Sequence, residues 1–152
     1  DKESRLLQAT CAMPLLFPIY RINGQPYLDG GAADSIPWQR ALEQGCERVL
    51  VVLTRPRSYR RKPDQMIRLI RKQYKQYPKF VRAMETRAER YNQNRKQLFE
   101  MEREGKLMVI APQSTLGVGR IERDTEKLRL LWAEGYQMTV DRMDEIRAYL
   151  GK

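Results

Sequence analysis

Tyr27-Leu28-Asp29-Gly30-Gly31 is the stretch of this sequence best suited to chemistry. An apolar run ends on a carboxylate, and two glycines separate it from a helix start at Asp34-Ser35-Ile36-Pro37. A carboxylate at a strand end stands on rigid backbone, and glycine beside it lets other backbone come close. The chemistry within reach is proton transfer: an Asp at hydrogen-bonding distance from a hydroxyl acts as its base. A plainer reading competes, because Asp-Gly is among the commonest turn dipeptides. Alone the pentapeptide is a turn, and only its surroundings raise it to a site.

The other residue types narrow the chemistry further. The chain of 152 residues has no His, which excludes Ser-His and Cys-His catalysis within it and removes the commonest transition-metal ligand. No metal and no cofactor are expected. The serines are Ser4, Ser35, Ser58 and Ser114, and none stands in Gly-x-Ser-x-Gly. Asp34 and Ser35 read as helix caps rather than as a rival base and nucleophile. Gly117-Val118-Gly119 is a lone Gly-x-Gly, which reads as a flexible turn. Cys11 and Cys46 are too few for a disulfide framework and read as two reduced, buried thiols in a reducing compartment.

The elements that must position Asp29 are legible around it. Ile19-Tyr20-Arg21-Ile22 and Gln25-Pro26-Tyr27-Leu28 flank Asn23-Gly24, the strongest short hairpin signal, and the hairpin delivers Asp29 at its end. Before it, a short helix from Leu6 to Ala12 gives way to an irregular turn at Met13-Pro14 and Phe17-Pro18. After it, Pro37 suits a first helical turn, Trp38, Ala41 and Leu42 form a buried face, and Gly45 ends the helix. Arg48 to Thr54 and Leu107 to Ala111 are near-continuous apolar runs, the signature of parallel strands covered on both faces. A basic loop, Arg55 to Pro63, leads to a short helix after Asp64, then to a helix from about Lys79 to Arg103 closed by Gly105. Asp124 or Thr125 caps a last helix to about Leu150, in which Trp132 reads as core.

Composition bounds the partners. With 41% hydrophobic and 32% charged residues the chain is globular rather than disordered, and no apolar run approaches the ~20 residues a bilayer span requires. A net charge of +10 attracts nucleic acid, anionic lipid headgroups or acidic proteins. Arg82, Arg87, Arg90, Arg95 and Lys96 alternate with Tyr91 and Phe99, a pattern open to nucleic acid. The interspersed Glu85, Glu89, Glu100, Glu102 and Glu104 instead suit an exposed helix with i,i+4 pairs. Nucleic acid is therefore not the expected partner. A non-catalytic basic module contacting nucleic acid or an acidic protein is retained as the alternative reading.

Four ordered pieces carry a family resemblance: Ala9-Thr10-Cys11-Ala12-Met13-Pro14-Leu15-Leu16-Phe17-Pro18, Tyr20 to Gly24, Tyr27 to Gly31, and Asp34 to Pro37. Together, in that order and at that spacing, they resemble the patatin-like phospholipases. Val109 to Pro112 and Arg120-Ile121-Glu122-Arg123-Asp124 more loosely resemble the tail of a bacterial patatin-like subgroup of predicted esterases. The resemblance implies acyl-ester hydrolysis by a Ser-Asp dyad. Asp29 would be the base, Gly30 and Gly31 would shape its turn, and a Gly-rich loop would form the oxyanion hole. Neither the nucleophile nor that loop stands in this sequence.

The resemblance thus implies an α/β chain forming the C-terminal part of a patatin-like three-layer fold, with a helical segment between strands and the serine-bearing N-terminal part elsewhere. Residues 1–54 would complete the catalytic domain, 55–106 form a basic helical region, and 107–152 supply the last strand and helix. The implied substrate is a lipid acyl ester. The implied location is cytoplasmic, with peripheral contact to an anionic membrane surface through the Arg55–Lys62 loop as the variant. The chain by itself is expected to be catalytically inert.

Overall fold

A computed structural model describes residues 2–119 and 121–151. The chain is mixed α and β, about half helical, with small sheets. It divides into two compact units interleaved along the sequence. The first comprises residues 1–37 and 61–96, the second residues 38–60 and 97–152.

In the first unit, helix α1 (Lys2–Thr10) precedes a hairpin of strands β1 (Tyr20–Ile22) and β2 (Gln25–Tyr27). Tyr20 pairs with Tyr27 and Ile22 with Gln25, antiparallel. Asn23 and Gly24 adopt φ of 50° and 77°, the two positive values that a two-residue hairpin turn of this kind requires. A 3₁₀ turn, Gly30–Ala32, follows directly. Helices α3 (Ile67–Gln73) and α4 (Pro78–Glu85) then pack beneath it. Ala32, Ile70, Tyr74 and Met84 form the core, with Leu28, Phe80 and Val81 against it. Tyr74 meets Phe80 edge to face at 4.9 Å, and its hydroxyl accepts the Leu15 N–H at 2.9 Å.

The helix expected from Lys79 to Arg103 is two helices, α4 and α5 (Arg87–Arg103), with the break at Thr86. Thr86 turns its hydroxyl back onto the Arg82 carbonyl at 3.0 Å, which satisfies the end of α4 locally. Asn92 and Asn94, within α5, anchor other chain segments. Asn92 exchanges two hydrogen bonds with the backbone of Arg61, and Asn94 donates to the Ile36 carbonyl.

In the second unit, α2 (Trp38–Glu43) precedes β3 (Leu50–Val52), which pairs in parallel with β4 (Met108–Ile110). The Met108 N–H donates to the Val49 carbonyl, and the Leu53 N–H to the Ile110 carbonyl. Alternation therefore turns the backbone of Leu50 and Val52, and that of Val109, to the two outer edges of this pair. The β4 edge is closed by side chains: Arg57 and Arg142 both donate to the Val109 carbonyl, at 3.2 and 3.0 Å. Both expected strands exist, but only β4 is buried throughout. Val52 on β3 is 66% exposed, so the expectation that both strands are covered on both faces holds for one.

The last helix also divides, into α6 (Thr125–Asp141) and α7 (Met143–Leu150), with Arg142 as the non-helical joint. Asp124 caps α6, its Oδ1 accepting from the N–H groups of Glu126 and Lys127. Met108, Ile110 and Ile146 form this unit's core. Trp132 is no part of it: the indole is 68% exposed and stacks on Tyr136 at 5.4 Å. Cys11 and Cys46 are likewise exposed thiols rather than buried ones, because each follows the end of a helix instead of lining its inner face. Of the tail motif from Arg120 to Asp124, Arg120 lies outside the described residues. Among the described residues no helix is long and apolar enough to cross a membrane.

Candidate functional site

Asp29 occupies the N-cap of the 3₁₀ turn. Its Oδ1 accepts the Gly31 N–H at 2.7 Å, which fixes the carboxylate against the turn. The Asp29 N–H donates to the Ala12 carbonyl at 2.9 Å, and the Asp29 carbonyl accepts from the Ala32 N–H at 3.0 Å. The residue is therefore held at its side chain and on both sides of its backbone. Ala32, 4% exposed, seats the turn on the core.

The two glycines stand in close quarters and, since neither has positive φ, not in a left-handed backbone. A Cβ on Gly30 would lie 3.3 Å from Thr10 Oγ1. A Cβ on Gly31 would lie 3.0 Å from Asp29 Oδ1 and 3.2 Å from Arg87 Nη2. Thr10 and Ala12 both belong to the Ala9–Pro18 stretch, so the fold brings together motif pieces that the sequence separates by some twenty residues.

Two arginines close the turn from α5. Arg87 Nε donates to the Gly31 carbonyl at 2.7 Å. Arg90 Nη2 donates to the Ala32 carbonyl at 3.0 Å and Nη1 to the Ala33 carbonyl, while Nη2 also reaches the Ala83 carbonyl at 2.8 Å. Three consecutive carbonyls at the end of the turn thus accept from one helix face, as i,i+3 spacing allows. Sequence reasoning placed Arg87 and Arg90 in a basic stripe and missed this role, because their partners stand more than fifty residues away. Arg95, on the same helix, is fully buried against Tyr91. Of the basic stripe, Arg95 is thus buried and Arg87 half-buried, while Arg90 stays exposed.

Asp34 and Ser35 play supporting parts rather than capping α2, which starts at Trp38. Asp34 Oδ1 accepts the Ile36 N–H at 3.1 Å, and Ser35 Oγ donates to the Gly31 carbonyl at 2.8 Å. That hydroxyl is turned to backbone, not to the Asp29 carboxylate. In the loop after β3, Arg55, Arg57 and Arg61 lie over the rings of Tyr59, Phe99 and Tyr91 at 5.4, 5.1 and 5.4 Å. Arg57 also grips Glu102 through two hydrogen bonds of 2.6 Å, which raises its pKa above the usual guanidinium value. Much of the basic loop is thereby engaged by the protein itself. Among the described residues no group of three His, Cys, Asp or Glu side chains is placed to hold a metal ion.

Comparison with known proteins bears on this arrangement. Residues 4–42 are similar to the family described as patatin-like phospholipase, and residues 77–151 to a family described as a domain of unknown function (DUF6363). The first match is short and lies at the N-terminal end of this chain, but it contains Asp29 and every motif piece that packs around it. It suggests a family of lipid hydrolases. The second match contains Arg87 and Arg90. No curated protein and no solved structure matches the chain.

Proposed function

We propose that this chain supplies the carboxylate of a Ser-Asp acyl-ester hydrolase acting on lipid, with Asp29 as the base. The observation that carries the reading is the setting of that carboxylate: Oδ1 is committed to the Gly31 N–H, and the turn is braced by Ala12, by the core and by Arg87 and Arg90. In the reaction a serine hydroxyl gives its proton to Asp29 as its oxygen bonds to the ester carbonyl carbon. The proton then passes to the departing alkoxide, an acyl-serine remains, and water repeats the sequence to release the fatty acid.

The serine comes from outside these residues, since the four serines present offer no nucleophile elbow and Ser35 is bound to backbone. Among the described residues β3 pairs with β4 alone, which suits a sheet that continues at its other edge, whereas the β4 edge is occupied by Arg57 and Arg142. The test is Asp29→Asn in the intact, serine-bearing protein, assayed on a short-chain acyl ester. A loss of about 10²- to 10⁴-fold in turnover is expected for removal of a general base. Turnover like that of the unaltered protein would remove the assignment. The 152-residue chain alone should show no turnover on the same ester.

A further inference from the structure

We infer that α6 is a self-association surface through which two copies of this chain pair antiparallel about a two-fold axis, a reading independent of the one proposed for Asp29. Leu128, Trp132, Tyr136 and Val140 are all exposed on α6, and none of its residues is fully buried. Their i,i+4 spacing sets them in one continuous row, and such rows are the ridges that paired helices most often interdigitate. The row begins and ends on an aliphatic side chain and carries two aromatic ones between. It therefore reads the same in either direction, which is what an isologous contact demands of one surface that must fit itself.

With the axis between Trp132 and Tyr136, Leu128 of one copy meets Val140 of the other, and the two aromatic pairs meet at the centre. The pair already stacked within one copy, at 5.4 Å and 23° between planes, presents a flat preformed face. Charge agrees with the same register. Arg129 and Asp141 lie on one flank of the row, near its opposite ends, so antiparallel pairing sets each Arg129 beside the other copy's Asp141. Parallel pairing about a two-fold axis would instead put these flanks on opposite sides of the pair, and the contact would be lost. Within one copy both are tied only locally, Arg129 to Glu126 and Asp141 to Gln137, in exposed contacts that exchange readily. Antiparallel packing also opposes the two helix dipoles favourably. One helix face is smaller than the standard patch of about 800 Å² per partner, so the dimer is expected to form in the micromolar range.

The experiment is sedimentation velocity of the full chain from low to high micromolar concentration, read with intrinsic tryptophan emission. A concentration-dependent dimer is expected, with emission shifting to the blue as Trp132 is buried. Trp132→Glu should weaken association at least tenfold without changing the circular dichroism spectrum. Arg129→Glu should weaken it, and Arg129→Glu combined with Asp141→Arg should restore it, because the swap preserves the antiparallel charge pairs. A monomer at all concentrations would overturn the inference. So would association indifferent to Trp132→Glu, which would place the contact on another face. A charge swap that fails to restore association would overturn the antiparallel register. Insertion of Trp132 into phosphatidylcholine vesicles by a chain that stays monomeric would assign the row to lipid instead.

Discussion

Gly30-Gly31 and Gly117-Val118-Gly119 are both short glycine turns that lie between a strand and a helix. At the first, an added Cβ meets Thr10 Oγ1, Asp29 Oδ1 and Arg87 Nη2 within 3.0 to 3.3 Å. At the second it meets nothing within 4 Å at either glycine. Gly117 adopts a φ of 73°, a loop conformation that favours glycine, whereas Gly30 and Gly31 have ordinary backbone and close side-chain neighbours. One turn is a crowded, clamped fixture around a carboxylate, and the other is a loop. Two glycine motifs of similar appearance are thus told apart by what packs on them.

Substitution at matched positions tests that contrast, and its largest expected effect is at Gly31. Gly31→Ala drives a methyl into the Asp29 carboxylate and the Arg87 guanidinium and should cost about 1–3 kcal/mol of stability. Gly119→Ala, in open space without positive φ, should stay within about 0.5 kcal/mol. Urea denaturation of both variants reads the difference, and equal losses would remove the distinction.

The next effect is the clamp. Arg90→Ala leaves the Ala32, Ala33 and Ala83 carbonyls without their donor and should cost about 1–2 kcal/mol. Arg40→Ala removes only an exposed i,i+3 pair with Glu43 and should cost no more than about 0.5 kcal/mol. Arg90→Lys should recover little, since a single ammonium lacks the planar fork that reaches several carbonyls.

The smallest effect is acid sensitivity of the second unit. Hydrogen bonding from Arg142 holds the Glu145 carboxyl below its ordinary value of 4.5, and Arg129 does the same for Glu126. A carboxyl whose folded pKa is depressed stabilises fully above its unfolded value and loses that contribution as pH falls through the folded one. Thermal melts from about pH 5 to about pH 3 should therefore fall, and Glu145→Gln should make that fall shallower. These groups are exposed, so the slope change is slight.

What was legible in the sequence follows from how local each signal is. The Asn23-Gly24 hairpin, the stops at Gly45 and Gly105 and the Asp124 cap depend on a few adjacent residues, and they stand where the residues say. The breaks at Thr86 and Arg142 were hidden because apolar spacing runs through both. A side-chain hydrogen bond decides the first, and the second joins two helices whose inner faces share one core. Trp132 reads as core because α6 carries apolar residues on two faces, and periodicity does not say which face meets the protein. Met138 packs inward while Trp132 stays outside. The hairpin that ends at Asp29 was legible, and so were the motif pieces that pack around the turn. Its clamp was not, since nothing near Arg87 or Arg90 in sequence signals a carbonyl partner in a turn fifty-odd residues earlier.

The central claim is that Asp29 serves chemistry beyond its service as a cap, and one pair of substitutions separates the two. Asparagine retains a carbonyl oxygen for the Gly31 N–H and is as good a cap as Asp, but it accepts no proton from a hydroxyl. Alanine loses both functions. Turnover and thermal stability of Asp29→Asn and Asp29→Ala, measured side by side in the intact, serine-bearing protein, should show both variants inactive on an acyl ester and only the alanine variant destabilised, by about 1 kcal/mol. An asparagine variant that melts like the unaltered protein and still hydrolyses ester at its rate would contradict the account.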